Sequence, residues 1–437
     1  MPAHSRVNRI GQKNMKNRIV HPTGAFSMLA ILAAFLQAAP TAAAASDANW
    51  TRFRGPNGSG ISPDAFDKPI GEDDIAWKIE LPGIGHSSPV VWGDKVFVTC
   101  AEQETAKRIV LCLNSADGSI VWKHEYNSYT YTQLHKQNSY ATSTPAVDEV
   151  GVYISWTTPK EYTLLALSHD GKELWRQDLG EFTSQWGSGT SPVVVNDMVV
   201  LTNDQEGPES SVVAFDHKTG KQRWIVQRKS TDKTASSSPC LFTPRDGVPQ
   251  LILTSKGNGM SAVDPETGQK LWEMTDLFKM RTIGSPIVAD DLVIGTTGDG
   301  GSDRRLFAVK PGHSPSDTPE LVYKLTKVPG YCSTPIFKDG LLFMFCDTGT
   351  VTCVKADTGK KLWSEKPADS FFSSPVCAGD TLWCISHDGE LIGISASDKY
   401  NLVSKLDLGE GTQASPAVAG GKMYLRTMSH LICVGKK

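Results

Sequence analysis

The sequence predicts an all-β fold, an eight-bladed β-propeller of four-stranded antiparallel blades, closed by an N-terminal strand pairing with the last blade. Three observations carry the prediction. A Ser/Thr-Pro dipeptide recurs eight times, at Pro89, Pro145, Pro192, Pro239, Pro286, Pro335, Pro375 and Pro416, with intervals of 56, 47, 47, 47, 49, 40 and 41 residues. Each interval has room for four short strands. The last repeat is one strand short, and a strand of the missing kind stands near the start.

Residues 1–45 read as a secretory signal peptide. Arg6, Arg9, Lys13, Lys16 and Arg18 make a basic start with no acidic residue, Ala25 to Leu36 is apolar, and Ala43-Ala44-Ala45 is an A-x-A cleavage site. Met15 is an alternative start that shortens the basic region. The apolar run is twelve residues long, short of the about 20 that cross a bilayer. The expected product is therefore periplasmic or secreted, cleaved near Ala45, with no transmembrane segment. No cysteine stands near the cleavage site to carry a lipid. Cleavage leaves 39 basic against 47 acidic residues, a net charge of −8, which argues against nucleic acid as a partner. Residues 46–73 form an N-terminal extension, and residues 74–437 form the propeller.

The first repeat sets the pattern. After Ser88-Pro89 come Val90-Val91-Trp92, a turn at Gly93-Asp94, and Lys95 to Val98, which together read as a hairpin. Ile109 to Leu113 is a third strand, and Asp117-Gly118 turns the chain into a fourth that ends at Trp122. The same order returns after Pro192. There the turn before the fourth strand reads Ala214-x-Asp216-x-x-Thr219-Gly220-x-x-x-Trp224, and it recurs as Ala262-x-Asp264-x-x-Thr267-Gly268-x-x-x-Trp272. Glycine supplies a positive φ, and the Asp and Thr side chains can bond the turn's amides. The tryptophans, Trp77, Trp122, Trp175, Trp224, Trp272 and Trp363, offer flat surfaces to pack between neighbouring sheets. Two repeats lack the Trp, and Leu321-Val322-Tyr323 and Leu402-Val403 are expected to stand in.

After Pro416 the chain has only three strands, Ala417 to Ala419, Lys422 to Arg426 and Leu431 to Gly435. Asp74-Ile75-Ala76-Trp77-Lys78 is the missing fourth, and its pairing removes the exposed edge. Nine cysteines are present with no CxxC pair, most of them in apolar strands, where they act as small hydrophobes. An exported protein also permits disulfides, with Cys100–Cys112 and Cys346–Cys353 nearest in sequence.

The AxDxxTGxxxW copies resemble the tryptophan-docking motif of the PQQ-like quinoprotein propellers, over roughly residues 74–437. The opening Trp50-Thr51-Arg52-Phe53-Arg54-Gly55-Pro56-Asn57-Gly58 is similar to the start of many exported bacterial PQQ-repeat proteins. The resemblance implies one of two roles. One is a periplasmic assembly scaffold of the BamB kind, without cofactor. The other is a quinoprotein alcohol dehydrogenase holding PQQ and calcium over the central channel. The sequence departs from both: it has no Cys-Cys pair, and it lacks the lipid-bearing cysteine typical of BamB.

Each Ser/Thr-Pro marks entry into the channel-lining strand. Two residues before each Ser/Thr stand His86, Thr142, Gly189, Ser236, Ile283, Cys332, Phe372 and Gln413, with the larger neighbours Tyr140, Trp186, Arg281, Tyr331 and Phe371. This rim has no carboxylate, whereas calcium takes several hard oxygen ligands. Asp204, Glu206, Asp299 and Asp303, on longer loops, would have to reach in. The longest insertion, residues 124–140, carries Tyr126, Tyr129, Tyr131 and Tyr140 among Gln and Asn, a composition suited to recognition. The Gly-rich stretch Asp299 to Arg305 lacks the Lys-Ser/Thr of a phosphate loop. His86-Ser87-Ser88 puts a base beside hydroxyls, with no third catalytic partner to assign. The expected function is a monomeric binding scaffold in the cell envelope with a protein or polymer partner. A PQQ-dependent oxidoreductase is the alternative, and a glycan or surface-polymer binder is third.

Overall fold

The computed structural model describes residues 49–437, apart from 132–133, 246, 302, 313–316, 328 and 436–437. The signal-peptide reading therefore lies outside the described residues. No helix among the described residues is long and apolar enough to cross a membrane.

Eight blades of four antiparallel strands make up eight sheets, seven of them four-stranded and that of blade 7 widened to five by a parallel strand from the N-terminal segment. Blade 1 consists of Val90–Trp92, Lys95–Ala101, Arg108–Asn114 and Ile120–Tyr126. Blade 3 repeats it with Val193–Val195, Met198–Asn203, Ser211–Asp216 and Gln222–Gln227. In both, the second and third strands are buried along almost their whole length, while the outer strand alternates exposed and covered residues. That gradient is what radial packing demands, because inner strands have a neighbouring sheet on each face and outer strands meet solvent.

The eighth blade closes as the sequence predicts. Ile75–Glu80 pairs antiparallel with His430–Gly435, outside Lys422–Arg426 and Ala417–Ala419. Trp77 on this strand donates Nε1–H to the Ser115 carbonyl of blade 1 at 3.2 Å. Ring closure thus uses the same device as the contacts of Trp122, Trp175 and Trp224.

That device is a tryptophan laid on the next blade's glycine. Asp216 Oδ1 accepts from the Thr219 amide and hydroxyl, and Gly220 turns with φ 68°. A Cβ on Gly220 would lie 2.6 Å from the Trp175 ring of blade 2. Trp224 covers Gly268 in the same way at 2.8 Å. The glycine is thus required twice, for its φ and for the ring that lies on it. Trp122, Trp175, Trp224 and Trp363 each donate Nε1–H to a carbonyl of the following blade. Trp272 differs, bonding Gln250 Oε1 within its own blade, and Gln250 bridges to the Gly312 carbonyl of blade 5.

The two repeats without Trp solve the gap differently. Tyr323 takes the place in blade 5: it covers Gly359 and donates its hydroxyl to the Ala356 carbonyl at 2.8 Å. In blade 7 the expected Leu402-Val403 do not serve. Ser404 holds the register position opposite Gly393, and Leu402 is exposed. The Ser404 hydroxyl exchanges hydrogen bonds with the Ile70 backbone, and Trp383, lying over Gly393, donates to the Phe66 carbonyl. The N-terminal extension fills the slot that a blade tryptophan would occupy.

All nine cysteines are unpaired. Cys112 stands opposite Phe97 and Cys100 opposite Ile109, so the neighbours in sequence do not face each other across the ladder. Cys353 likewise faces Phe343.

Candidate functional site

The central channel is built from the eight Ser/Thr-Pro dipeptides. A residue before proline is held extended, and proline itself has no N–H to offer a neighbour. The Ser/Thr amide is then free to point sideways, to the next blade. Ser88 donates its N–H to Thr144 Oγ1, Thr144 to Ser191 Oγ, Ser191 to Ser238 Oγ, and Ser238 to Ser285 Oγ. Ser285 continues to Thr334 Oγ1, Thr334 to Ser374 Oγ, Ser374 to Ser415 Oγ, and Ser415 returns to Ser88 Oγ. The eight bonds, 2.8–3.4 Å long, form a closed circle around the channel. The repeat needs Ser or Thr there because each hydroxyl satisfies a buried amide of the preceding blade.

A cavity of about 800 Å³ stands on this circle. Six of the eight circle residues line it, together with all eight positions two residues further out, from His86 round to Gln413. The mouth carries Trp186, Arg281, Tyr331, Phe372, His135, Asp299 and Gln413. Arg281 donates to Glu206 Oε1 at 3.1 Å and Gln185 Oε1 at 3.2 Å, and its guanidinium lies 5.9 Å from the centre of the Trp186 ring. His135 meets that ring edge-on at 4.9 Å.

The other end of the channel is closed by the chain's own N-terminal segment. Trp50 bridges to Val91 of blade 1, and Val147 of blade 2 donates to the Thr51 carbonyl. Arg52 reaches the Pro239 carbonyl of blade 4 at 2.7 Å, and Arg54 reaches the Pro375 carbonyl of blade 7 at 3.3 Å. Ile61–Ser62 then adds a parallel strand inside Val376–Ala378. With its two arginine neighbours drawn out to the walls at blades 4 and 7, Phe53 is left lining the cavity as its floor. Burial drives the Arg52 guanidinium down to about 10 and that of Arg54 to about 9.

His86 stands just above the circle and is 6% exposed. Neither ring nitrogen has a partner that meets hydrogen-bond geometry. Burial above all, then the Arg426 and His387 charges, push its pKa down to about 4, against a weaker opposing pull from the Gln137 backbone. At neutral pH it is an uncharged imidazole facing the cavity. Burial also raises the Tyr331 hydroxyl to about 12, so it stays a proton donor.

The structure brings His86, Trp186, Arg281, Tyr331, Phe372 and Gln413 together around one mouth. It places Phe371 and the tyrosines of the long insertion elsewhere. Phe371 is fully buried and packs edge-on against Phe345. Tyr131 and Tyr140 stack on each other, with the Arg108 guanidinium 4.7 Å from the Tyr140 ring centre. Tyr126 packs on Trp156, and Tyr129 is half exposed under Lys160. The long insertion does reach the mouth, through His135, Gln137 and Asn138 rather than its tyrosines. Asn138 fixes the Trp186 carbonyl at 2.7 Å, and the Gln137 carbonyl accepts from Gln413 at 2.7 Å. Of the four loop carboxylates, Asp299 lines the cavity, Asp204 pairs with Arg228, Glu206 with Arg281 and Asp303 with Arg305. Phe53, Lys233 and Asp347 line it without a signal in their local sequence.

An eight-bladed ring with tryptophan docking and a one-ended channel defines the class, a PQQ-repeat propeller. The chain belongs to the family described as outer membrane protein assembly factor BamB, whose model matches residues 106–275 and 324–434. It is 21% identical over 354 residues to the outer membrane protein assembly factor BamB of Yersinia pestis, covering 79% of this chain and 82% of that one. It is 26% identical over 208 residues to a polyvinylalcohol dehydrogenase of a Pseudomonas species, covering 44% of this chain and 30% of the relative. Among solved structures, BamB from Moraxella catarrhalis superposes with a TM-score of 0.57 at 16% identity, covering 82% of this chain and 96% of that one. A europium-containing methanol dehydrogenase superposes with a TM-score of 0.66 at 14% identity, covering 87% and 89%. These structural likenesses speak for the fold alone.

Proposed function

We propose that this chain is an exported scaffold of the bacterial envelope that receives a segment of a partner protein in the mouth of its channel. The observation that carries the reading is the one-ended cavity: a walled mouth of aromatic, charged and hydrogen-bonding groups, with Phe53 as floor. A receptor needs a floor, whereas a conduit does not. Membership of an assembly-factor family supports the same reading.

The donor set does not fit a calcium-held quinone. The cavity wall has two carboxylates, and Asp347 is already held by Arg304 at 2.8 Å and by the Tyr331 amide at 3.1 Å. Among the described residues, no three His, Cys, Asp or Glu side chains cluster to hold a metal.

A photo-crosslinking amino acid placed at Trp186 or Tyr331, in cells, tests the reading. Crosslinks from both positions to outer-membrane assembly proteins are expected, with none from Ile225, which is 47% exposed on the outer strand of blade 3. Crosslinks from Ile225 alone would count against the mouth. So would a quinone absorbance that survives gel filtration after adding PQQ and Ca²⁺, with dye-linked alcohol oxidation.

A further inference from the structure

The hydroxyl circle has an electrostatic property beyond ring closure. Each of its oxygens accepts an amide N–H, so what each hydroxyl has left to give is its proton. Among the described residues, only Ser238 gives that proton to a protein acceptor, the Ser191 carbonyl at 3.3 Å. The circle therefore offers the cavity a set of O–H donors.

Three buried guanidinium groups surround it. Arg426 of blade 8 donates to the Ser87 carbonyl at 2.9 Å, next to the circle's Ser88. Arg52 donates to the carbonyl of Pro239, next to Ser238, and Arg54 to that of Pro375, next to Ser374. The contacts fall at blades 1, 4 and 7, nearly evenly spaced around the ring. Among the described residues, none of the three arginines forms an ion pair with a carboxylate. A buried cation without a counter-ion is costly, and its field is weakly screened at such depth. Directly above, the His86 ring lines the cavity with both nitrogens unpartnered and 6% of the residue exposed.

We propose that the throat of the channel is an anion site, which takes a carboxylate from a small ligand or from the partner chain that enters the mouth. The hydroxyl circle supplies its hydrogen bonds, His86 adds a further N–H, and Arg52, Arg54 and Arg426 supply the field. This deepens the scaffold reading and rests on its mouth.

Titration calorimetry with acetate and acetamide, two probes of nearly equal size, tests the charge requirement. Acetate is expected to bind at least about tenfold more tightly, the scale of one charge-assisted hydrogen bond. A short peptide acid against its amide tests whether a chain terminus can be the source. Crystals grown in bromide are expected to show an anomalous peak inside the hydroxyl circle. Arg52→Gln is expected to weaken acetate several-fold, and if that variant does not fold, His86→Phe serves in its place. Equal binding of acetate and acetamide, or bromide found only outside the circle, would overturn the proposal. Crosslinking from Trp186 with no preference for acetate would leave the scaffold reading standing and remove the anion site.

Discussion

The two ends of the channel are made of the same eight strands and have opposite character. At the closed end, the segment from Trp50 to Ser62 touches blades 1, 2, 4 and 7, with Trp50, Arg52 and Arg54 buried among them and Arg54 0% exposed. At the mouth, Trp186 and Gln413 are only part-buried, and their hydrogen bonds go to loops. The difference separates two jobs within one ring. Side chains at the closed end hold blades together, and side chains at the mouth are free to meet something else.

The sharpest way to break this contrast is at Arg54. Its guanidinium donates to the carbonyls of Pro375, Gly58 and Ser59. Arg54→Met fills most of the volume and leaves those carbonyls without donors. A loss of about 3–4 kcal/mol is expected, read as a shift in urea midpoint. A midpoint within error of wild type would mean that the segment is an ornament on a ring that stands without it.

A second effect arises where the two ends meet, at His86. Its native pKa of about 4 lies below the 6.5 of an ordinary histidine. The unfolded chain therefore takes up a proton at a pH where the native state does not. The contribution of His86 is fully present above pH 6.5 and is lost as pH falls from there toward 4, by up to ~3 kcal/mol. The Arg426 and His387 charges facing it act in the same direction as burial. Urea titrations at pH 7, 6, 5 and 4 are expected to show a flatter decline for His86→Gln. Identical slopes would mean that His86 is hydrated and ordinary.

Much of this was legible in the sequence, for a physical reason. The proline of each Ser/Thr-Pro repeats because every blade enters the channel in the same way. Counting two residues outward from each Ser/Thr therefore found eight positions that all line one cavity. The tryptophan and its Thr-Gly turn were legible because both partners recur at fixed spacing. The closed end was not, because Arg52 bonds a residue 187 positions away and Arg54 one 321 positions away. No local pattern encodes such a contact. The tyrosines of the long insertion stand apart from the cavity for a different reason. Their composition suits recognition, but Tyr140 packs under Arg108 and Tyr131 stacks on Tyr140 and donates to Thr157, all within the same protein. In blade 7 the missing tryptophan was visible, while its replacement by Ile70 and Phe66 from the extension was not.

The circle that divides the two ends makes a smaller prediction. Ser191→Ala removes the acceptor of the Thr144 amide at 2.9 Å and breaks the ring of bonds at one point. A cost of ~1–2 kcal/mol is expected, the price of one buried unsatisfied N–H. Amide hydrogen exchange at Thr144 is expected to rise, with the far side of the ring unchanged. A cost several times larger, spread over all eight blades, would show that the circle acts as one cooperative unit.

The smallest expected effect on stability is the most informative about function. Trp186 is half-buried, held by an edge contact with His135, a cation–π contact with Arg281 and its own backbone carbonyl. His135, Arg281 and Asn138 all stand in loops before the first strands of their blades, and none is an outer-strand docking residue. Trp186→Ala should therefore cost less than ~1 kcal/mol in a urea titration. The same variant should lose most of the partner crosslinking read from Tyr331 across the mouth, since aromatic anchors carry a disproportionate share of binding. The two readouts move in opposite senses for Arg54→Met, which lowers stability and leaves mouth crosslinking intact at temperatures where the ring is folded. If Trp186→Ala unfolds the protein as readily as Arg54→Met does, the mouth is structural and the division of labour between the two ends fails.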